Sequence, residues 1–144
     1  GNWNKIMILA AVVMPVAAYF IKKSWDFNAL DSGDESAKSL GVDIKKTRIM
    51  GMVLSALVTA VVVSFFGIIS FVGLVVPHII RRVIGGDERY LIPASVFFGA
   101  AFLLACDTAA RTVISPEILP VGILTSFMGA PMFIYVLIKG RSYW

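Results

Sequence analysis

Charged residues in this chain gather into short clumps, and the tracts between them are long, apolar and uncharged. The first tract, Ile6 to Ile21, holds 16 residues between Lys5 and the pair Lys22-Lys23. As a helix it covers roughly 24 Å, slightly less than the roughly 30 Å hydrocarbon core of a bilayer. Snorkelling lysines, with Trp3 and Trp25 at the edges, close the gap. Ile49 to Pro77 is also uncharged, and with a neutral His78 the tract continues to Ile80, 32 residues in all. A straight helix of that length would run roughly 48 Å and overshoot the bilayer. The pattern therefore predicts a break near Gly67, with Gly73 and Pro77 weakening the helix further, and two crossings joined by a tight turn. Tyr90 to Cys106 predicts another crossing, ended by Asp107 and Arg111. Ile118 to Ile138 predicts the last, and its Pro120, Gly122, Gly129 and Pro131 predict a short helix, a break and a second helix.

The basic residues test this count, because Lys and Arg collect in short cytoplasmic loops. With five crossings, the segments 22–48, 81–89 and 139–144 share one side and hold six, three and two Lys/Arg, eleven of the thirteen. Lys5 and Arg111 are left on the other side. A single crossing through the long tract would split them seven to six, which is no bias. The expected fold is an all-α, polytopic transmembrane bundle with the N-terminus outside. Loop 22–48, loop 81–89 and the C-terminus are expected in the cytoplasm.

Composition agrees: 58% of residues are hydrophobic and 15% charged, with a mean hydropathy of +0.86. Soluble domains run about 45–50% apolar and about 25% charged, so a water-soluble globule is excluded, and the scarcity of charge excludes intrinsic disorder. Cys106 is the only cysteine and supports no disulfide framework. The net charge of +4 is topological, since no basic and aromatic interleaving forms a nucleic-acid groove. No cleaved signal peptide is evident, and the recurrent tracts read as one membrane domain over residues 1–144, part of a longer protein. Small residues four apart (Gly51, Ser55 and Thr59; Ala56, Ala60 and Ser64; Ser95 and Gly99) predict close helix packing in lipid.

Loop 22–48 is too long for a turn. Asp31 to Gly41 predicts a short capped helix, with acids in its first turn, Lys38 in its last, Gly41 to stop it, and an apolar stripe of Leu30, Ala37 and Leu40. Such a helix suits a groove on a soluble partner or a rest on lipid, and the residues alone leave both open.

Gly33-Asp34-Glu35-Ser36-Ala37-Lys38-Ser39-Leu40-Gly41-Val42 resembles the coupling loop of the FecCD-type permeases, membrane subunits of ATP-driven importers for iron-siderophores, haem and cobalamin. The segment from Gly67 through Ser70, Gly73, Pro77 and His78 to Arg81 resembles that family's most recognisable stretch, and Asp107-Thr108-Ala109-Ala110-Arg111 and Leu119 to Thr125 with Gly129-Ala130-Pro131 follow in the same order. Cys106, Ser32 and Ser126 depart from the common pattern. Family members have about ten helices in two related halves, so the resemblance implies the second half of such a permease.

The resemblance further implies partners: an ATP-binding subunit that receives the coupling helix Gly33 to Gly41, a solute-binding protein docking at Arg111, the N-terminal half, and a homodimer of the complete permease in the cell membrane. Asp34 and Glu35 would face basic groups of the ATPase. Pro120, Gly122, Thr125 and Gly129 are expected to flank the translocation route, where a broken helix is tolerated. Gly67, Gly73, Pro77, His78 and Asp107 are expected to be structural, with Asp107 paired to Arg111 one turn later as the competing role for that arginine. His78 is the only histidine and is read as a packing residue; no metal, no cofactor and no bond-making chemistry of the chain's own is expected. An acid–base pair of His78 and Asp107 would need them on one membrane face, and the charge count puts them on opposite faces. The rival reading is a small channel or structural scaffold without ATPase partners. A chain lacking its other half is also expected to rearrange or self-associate.

Overall fold

A computed structural model describes residues 2–113 and 120–140. Among these residues there are seven helices and no strand: α1 (Trp3–Lys22), α2 (Ser24–Asp31), α3 (Asp34–Ser39), α4 (Ile44–Phe66), α5 (Val72–Ile84), α6 (Glu88–Val113) and α7 (Val121–Gly140). Four of them, α1, α4, α6 and α7, are long and apolar enough to cross a membrane. The fifth expected crossing corresponds to α5, whose 13 residues span only roughly 20 Å at about 1.5 Å each.

The helices fall into two compact units. In the first, residues 1–67 and 86–93, α1 packs on α4, and the short helices α2 and α3 fold against them. The approach centres on Gly51, where an added Cβ would lie 3.3 Å from the Phe27 ring, itself 5.4 Å from the Phe20 ring. Asp43 starts α4, its carboxylate accepting the Lys46 backbone N–H at 3.1 Å. Beyond this contact the small-residue rows of α4 are exposed: Ser55, Ala56, Thr59, Ala60 and Ser64 meet nothing that would bury them.

In the second unit, residues 68–85 and 94–144, α5 packs on α7. Helix α4 stops at Phe66 because Gly67 takes φ +77°, and the chain runs without helix to Phe71, which adopts the left-handed region at φ +64° as it caps α5. Val75, Val76 and Ile80 of α5 are buried. Two glycines of α7 make room for the irregular segment. A Cβ on Gly122 would collide with the carbonyl oxygen of Ile68, and one on Gly129 with the side chain of Phe71.

These contacts correct the expectation of a broken helix near the C-terminus. Helix α7 is continuous from Val121 to Gly140 and carries Pro131 within it. Proline costs a helix mainly through the hydrogen bond it cannot donate and a clash with the preceding turn, and in α7 it is absorbed. Gly122 and Gly129 serve as seats for residues 68–71, which hold the break that the C-terminal glycines seemed to announce. Ile118 and Leu119 lie outside the described residues.

Gly129→Ala is therefore expected to destabilise the chain in detergent by about 1–3 kcal/mol, the usual cost of overpacking. Gly73→Ala, with nothing within 4 Å of its added Cβ, should be neutral or slightly stabilising. Thermal unfolding of both variants checks this; equal effects would contradict the packing assigned to Gly129.

Candidate functional site

The loop between α1 and α4 folds as two helices where the sequence predicts one. Helix α2 ends at Asp31, and Gly33, at φ +109°, turns the chain into α3. The reason is local: Ser32 Oγ donates back to the Asn28 carbonyl at 3.1 Å and the Gly33 N–H donates to the Leu30 carbonyl at 3.2 Å, which closes α2 before the acidic cluster. Helix α3 is closed in turn by Gly41 at φ +77°. The Val42 N–H donates to the Ala37 carbonyl and the Gly41 N–H to the Lys38 carbonyl, both at 3.0 Å, which is a Schellman cap.

The expected stripe is thereby divided. Ala37 is fully buried, Leu40 is 70% exposed, and Leu30 belongs to α2. Gly33, Asp34, Glu35, Ser36, Lys38 and Gly41 are exposed. Asp34 already has a partner within the chain, since Arg48 Nη2 donates to its Oδ1 at 3.1 Å. Both groups of this pair are more than half exposed, so it holds α3 against α4 only weakly.

At the other end of the loop lies a cluster that sequence reasoning missed. Asn28 Nδ2 donates to Asp87 Oδ1 at 2.8 Å, and its Oδ1 accepts the Glu88 backbone N–H at 2.7 Å. Asp87 Oδ1 also accepts the Arg89 N–H at 3.0 Å, as an N-cap of α6 does, while Arg89 Nη2 reaches Oδ2 at 2.7 Å. The Arg89 guanidinium lies over the Trp25 ring, 4.1 Å from its centre. The guanidinium, with the Asn28 amide second, holds the Asp87 carboxyl well below the usual carboxylate range. Stability from these contacts is thus fully present above about pH 4 and is lost as pH falls toward the depressed value. Gly86-Asp87-Glu88 before an apolar run was a readable helix start; its partner 59 residues earlier was not.

In the second unit, Arg111 Nε donates to Asp107 Oδ2 at 2.9 Å, the i,i+4 pair that competes with docking, while the Arg111 side chain stays 64% exposed. A groove of about 740 Å³ runs along α7, lined by Ile68, Ser70, Pro120, Gly122, Ser126 and Phe127 among others. Pro120 and Gly122 are among its lining residues. Thr125 is not: it is 1% exposed, with its hydroxyl donating to the Gly122 carbonyl at 3.1 Å. Gly129 is buried under Phe71. Ser126 supplies a polar lining in their place, its Oγ 2.7 Å from the same carbonyl. The sequence could have pointed to it, because Ser126 lies four residues after Gly122 on one helix face.

At the far ends of α5 and α7, Lys139 Nζ donates to the Tyr135 hydroxyl at 2.9 Å, and Arg82 lies 5.8 Å from the centre of that ring. Pro77 sits inside α5, and His78 beside it is half-buried. Among the described residues no three His, Cys, Asp or Glu side chains gather as a metal site.

The profile of the FecCD transport family matches residues 1–139. A Methanocaldococcus jannaschii protein named as an ABC transporter permease is 59% identical over 95% of this chain and 39% of its own length. The hemin transport system permease protein of Yersinia pestis is 37% identical, covering 99% and 42%, and the cobalamin import system permease protein of Halobacterium salinarum is 42% identical, covering 95% and 37%. The chain therefore spans about two fifths of the curated relatives it matches. A solved metal-chelate type ABC transporter in an inward-facing conformation superposes with a TM-score of 0.88 at 32% identity, over 96% of this chain and 45% of that one. The rearrangement expected of a half on its own is thus absent from this fold, because the contacts that shape each unit lie within it. A profile match over nearly the whole chain, with helices apolar enough to span lipid, makes this a multi-pass membrane protein that belongs to the FecCD transport family.

Proposed function

We propose that this chain is the second half of the membrane-spanning permease of an ATP-binding-cassette importer, passing an iron-siderophore, haem or cobalamin-type solute by alternating access. The observation that carries the reading is family membership joined to relatives named for hemin and cobalamin. ATP hydrolysis is assigned to a separate subunit. The complete permease is read as a homodimer that also contains an N-terminal half, and the exposed small-residue face of α4 is suited to meet such helices.

Residues 1–144 are read as one membrane domain with five crossings. Helix α5 is too short alone, and the non-helical segment 67–71 that precedes it is read as the rest of that crossing. Irregular backbone is tolerated at membrane depth where protein buries it, and here the Ile68 carbonyl and the Phe71 side chain lie against α7 at Gly122 and Gly129, while the Ile68 side chain stays exposed for a neighbouring helix. Arg82 and Lys139 meeting at Tyr135 fit a cytoplasmic interface, where basic residues and aromatic rings both concentrate. In this orientation α3 is the coupling helix. Glu35 and Lys38 are its contact charges, since Asp34 is turned to Arg48. Arg111, outside, docks the solute-binding protein with Asp107 fixing its rotamer. Pro120, Gly122 and Ser126 line the route; Thr125 and Gly129 support it from behind.

Three measurements on the full-length permease test this. Glu35→Lys should lower co-purification of the ATPase subunit about tenfold, and unaltered retention would sink the coupling assignment. Arg111→Glu should slow capture of the binding protein about tenfold at low salt and less at high salt, whereas salt-independent capture would leave the arginine only its bond to Asp107. A cysteine replacing Val83 should react with an impermeant maleimide only in inverted vesicles; reaction in intact cells would reverse the orientation.

A further inference from the structure

Asn28 of α2 fastens the loop that carries α3 to the start of α6. Its amide donor meets the Asp87 carboxylate at 2.8 Å and its carbonyl takes the backbone N–H of Glu88, the first residue of α6, at 2.7 Å. These are part-buried contacts, and each uses a different face of the same amide. The two bonds together tie α2 both to the residue that caps α6 and to the first backbone N–H of α6. Arg89, paired to Asp87 and laid over Trp25 of α2, adds a second link to the same helix.

Apolar packing at this end is partial. Ala29 of α2 and Leu91 of α6 are buried, but an open hollow of about 420 Å³ is lined by Phe20, Phe27, Leu30 and Ile92. Beside that hollow the directed hydrogen bonds of Asn28 fix how α2 meets the first turn of α6. By contrast α3, six residues long, is held to α2 through the Gly33 turn and to α4 through an exposed ion pair.

Resting on the coupling reading of α3, we propose that Asn28 is the positioning residue through which displacement of the loop helices passes into α6, so that α2 and the first turn of α6 move as one body. Asn28 touches neither solute nor nucleotide in this scheme; it acts through Asp87 and Glu88. The requirement is an amide opposite a carboxylate, so exchanging the two residues should preserve the function, whereas apolar or like-charged replacements should not.

The test uses the full-length permease with its ATPase subunit in liposomes, Cys106 replaced by alanine and a single cysteine introduced by Thr112→Cys near the end of α6. Labelling by an impermeant maleimide is timed with and without ATP and vanadate. The unmodified clamp should give a nucleotide-dependent change in rate of about fivefold or more, in the usual range of site coupling. Asn28→Ala should abolish that change while the ATPase subunit stays bound. Asn28→Asp should abolish it too, and adding Asp87→Asn should restore it. A full response in Asn28→Ala, no response in the unmodified clamp, or no recovery in the exchanged pair overturns the proposal. If Asn28→Ala fails to assemble, comparison of Asn28→Asp with the exchanged pair decides alone. Glu35→Lys run in parallel separates the two readings. If it keeps its ATPase subunit, the coupling reading fails; if it loses that subunit while Asn28→Ala keeps both subunit and response, the clamp alone fails.

Discussion

Backbone groups in an apolar solvent must be paired or covered by protein, and the short irregular segment between α4 and α5 is where this chain meets that demand. The Gly67 N–H closes α4 on the Val63 carbonyl at 2.9 Å, and the Phe71 carbonyl opens α5 by accepting the Leu74 and Val75 N–H groups. Between them the Ser70 carbonyl accepts the Val72 N–H at 2.9 Å, and the Ile68 carbonyl and Phe71 side chain approach α7 so closely that the helix can carry no Cβ there. Gly122 and Gly129, seven residues apart on α7, fall on one face and supply two such places. The lining of the groove follows, because Ile68 and Ser70 reach it only from this seat.

The loop helices obey a different logic. A helix of six residues has no stability of its own, since nucleation costs more than so few hydrogen bonds return. Helix α3 exists because its C-terminal end is closed by the Gly41 cap, acids occupy its first turn, and one side chain, Ala37, is completely buried. An alanine makes a shallow anchor, one that permits close approach but contributes little apolar area. Such an element can be displaced as a piece without unfolding, which suits a part that must respond to a partner.

The sequence made the tracts legible because lipid enforces them. Uncharged length, basic flanks and the Gly67 break can be read without knowing any contact, as each reflects the chain against its solvent. What depends on a second segment was hidden. Pro131 and Gly129 carry the same local signal whether a helix breaks or merely accommodates a neighbour, and only Phe71 decides between them. Asp34 and Glu35 do sit in the first turn of α3, as their pattern announced, but the closure of α2 at Asp31 by Ser32 and Gly33 was not readable beside them. Thr125 and Ser126 are adjacent hydroxyls with the same carbonyl partner, and the roughly 100° between successive residues of α7 puts Ser126 in the groove and Thr125 in the core.

Asn28 was illegible for the same reason, and its environment separates it from the surface ion pairs of this chain. Exposed pairs such as Arg48–Asp34 and Arg111–Asp107 are screened and contribute about 0–1 kcal/mol each, so their value is in choosing a partner or a rotamer. A part-buried amide that serves both a carboxylate and a helix-terminal N–H takes the acceptor from the Glu88 N–H and one donor from Asp87 when it is removed, and a polar group left unserved costs more than the net gain of an ordinary hydrogen bond. The asymmetry favours keeping the contact intact while the elements around it move. The α2–α6 junction is then the stiff joint, so a push on the loop helices is carried into α6 and not absorbed between α2 and α6.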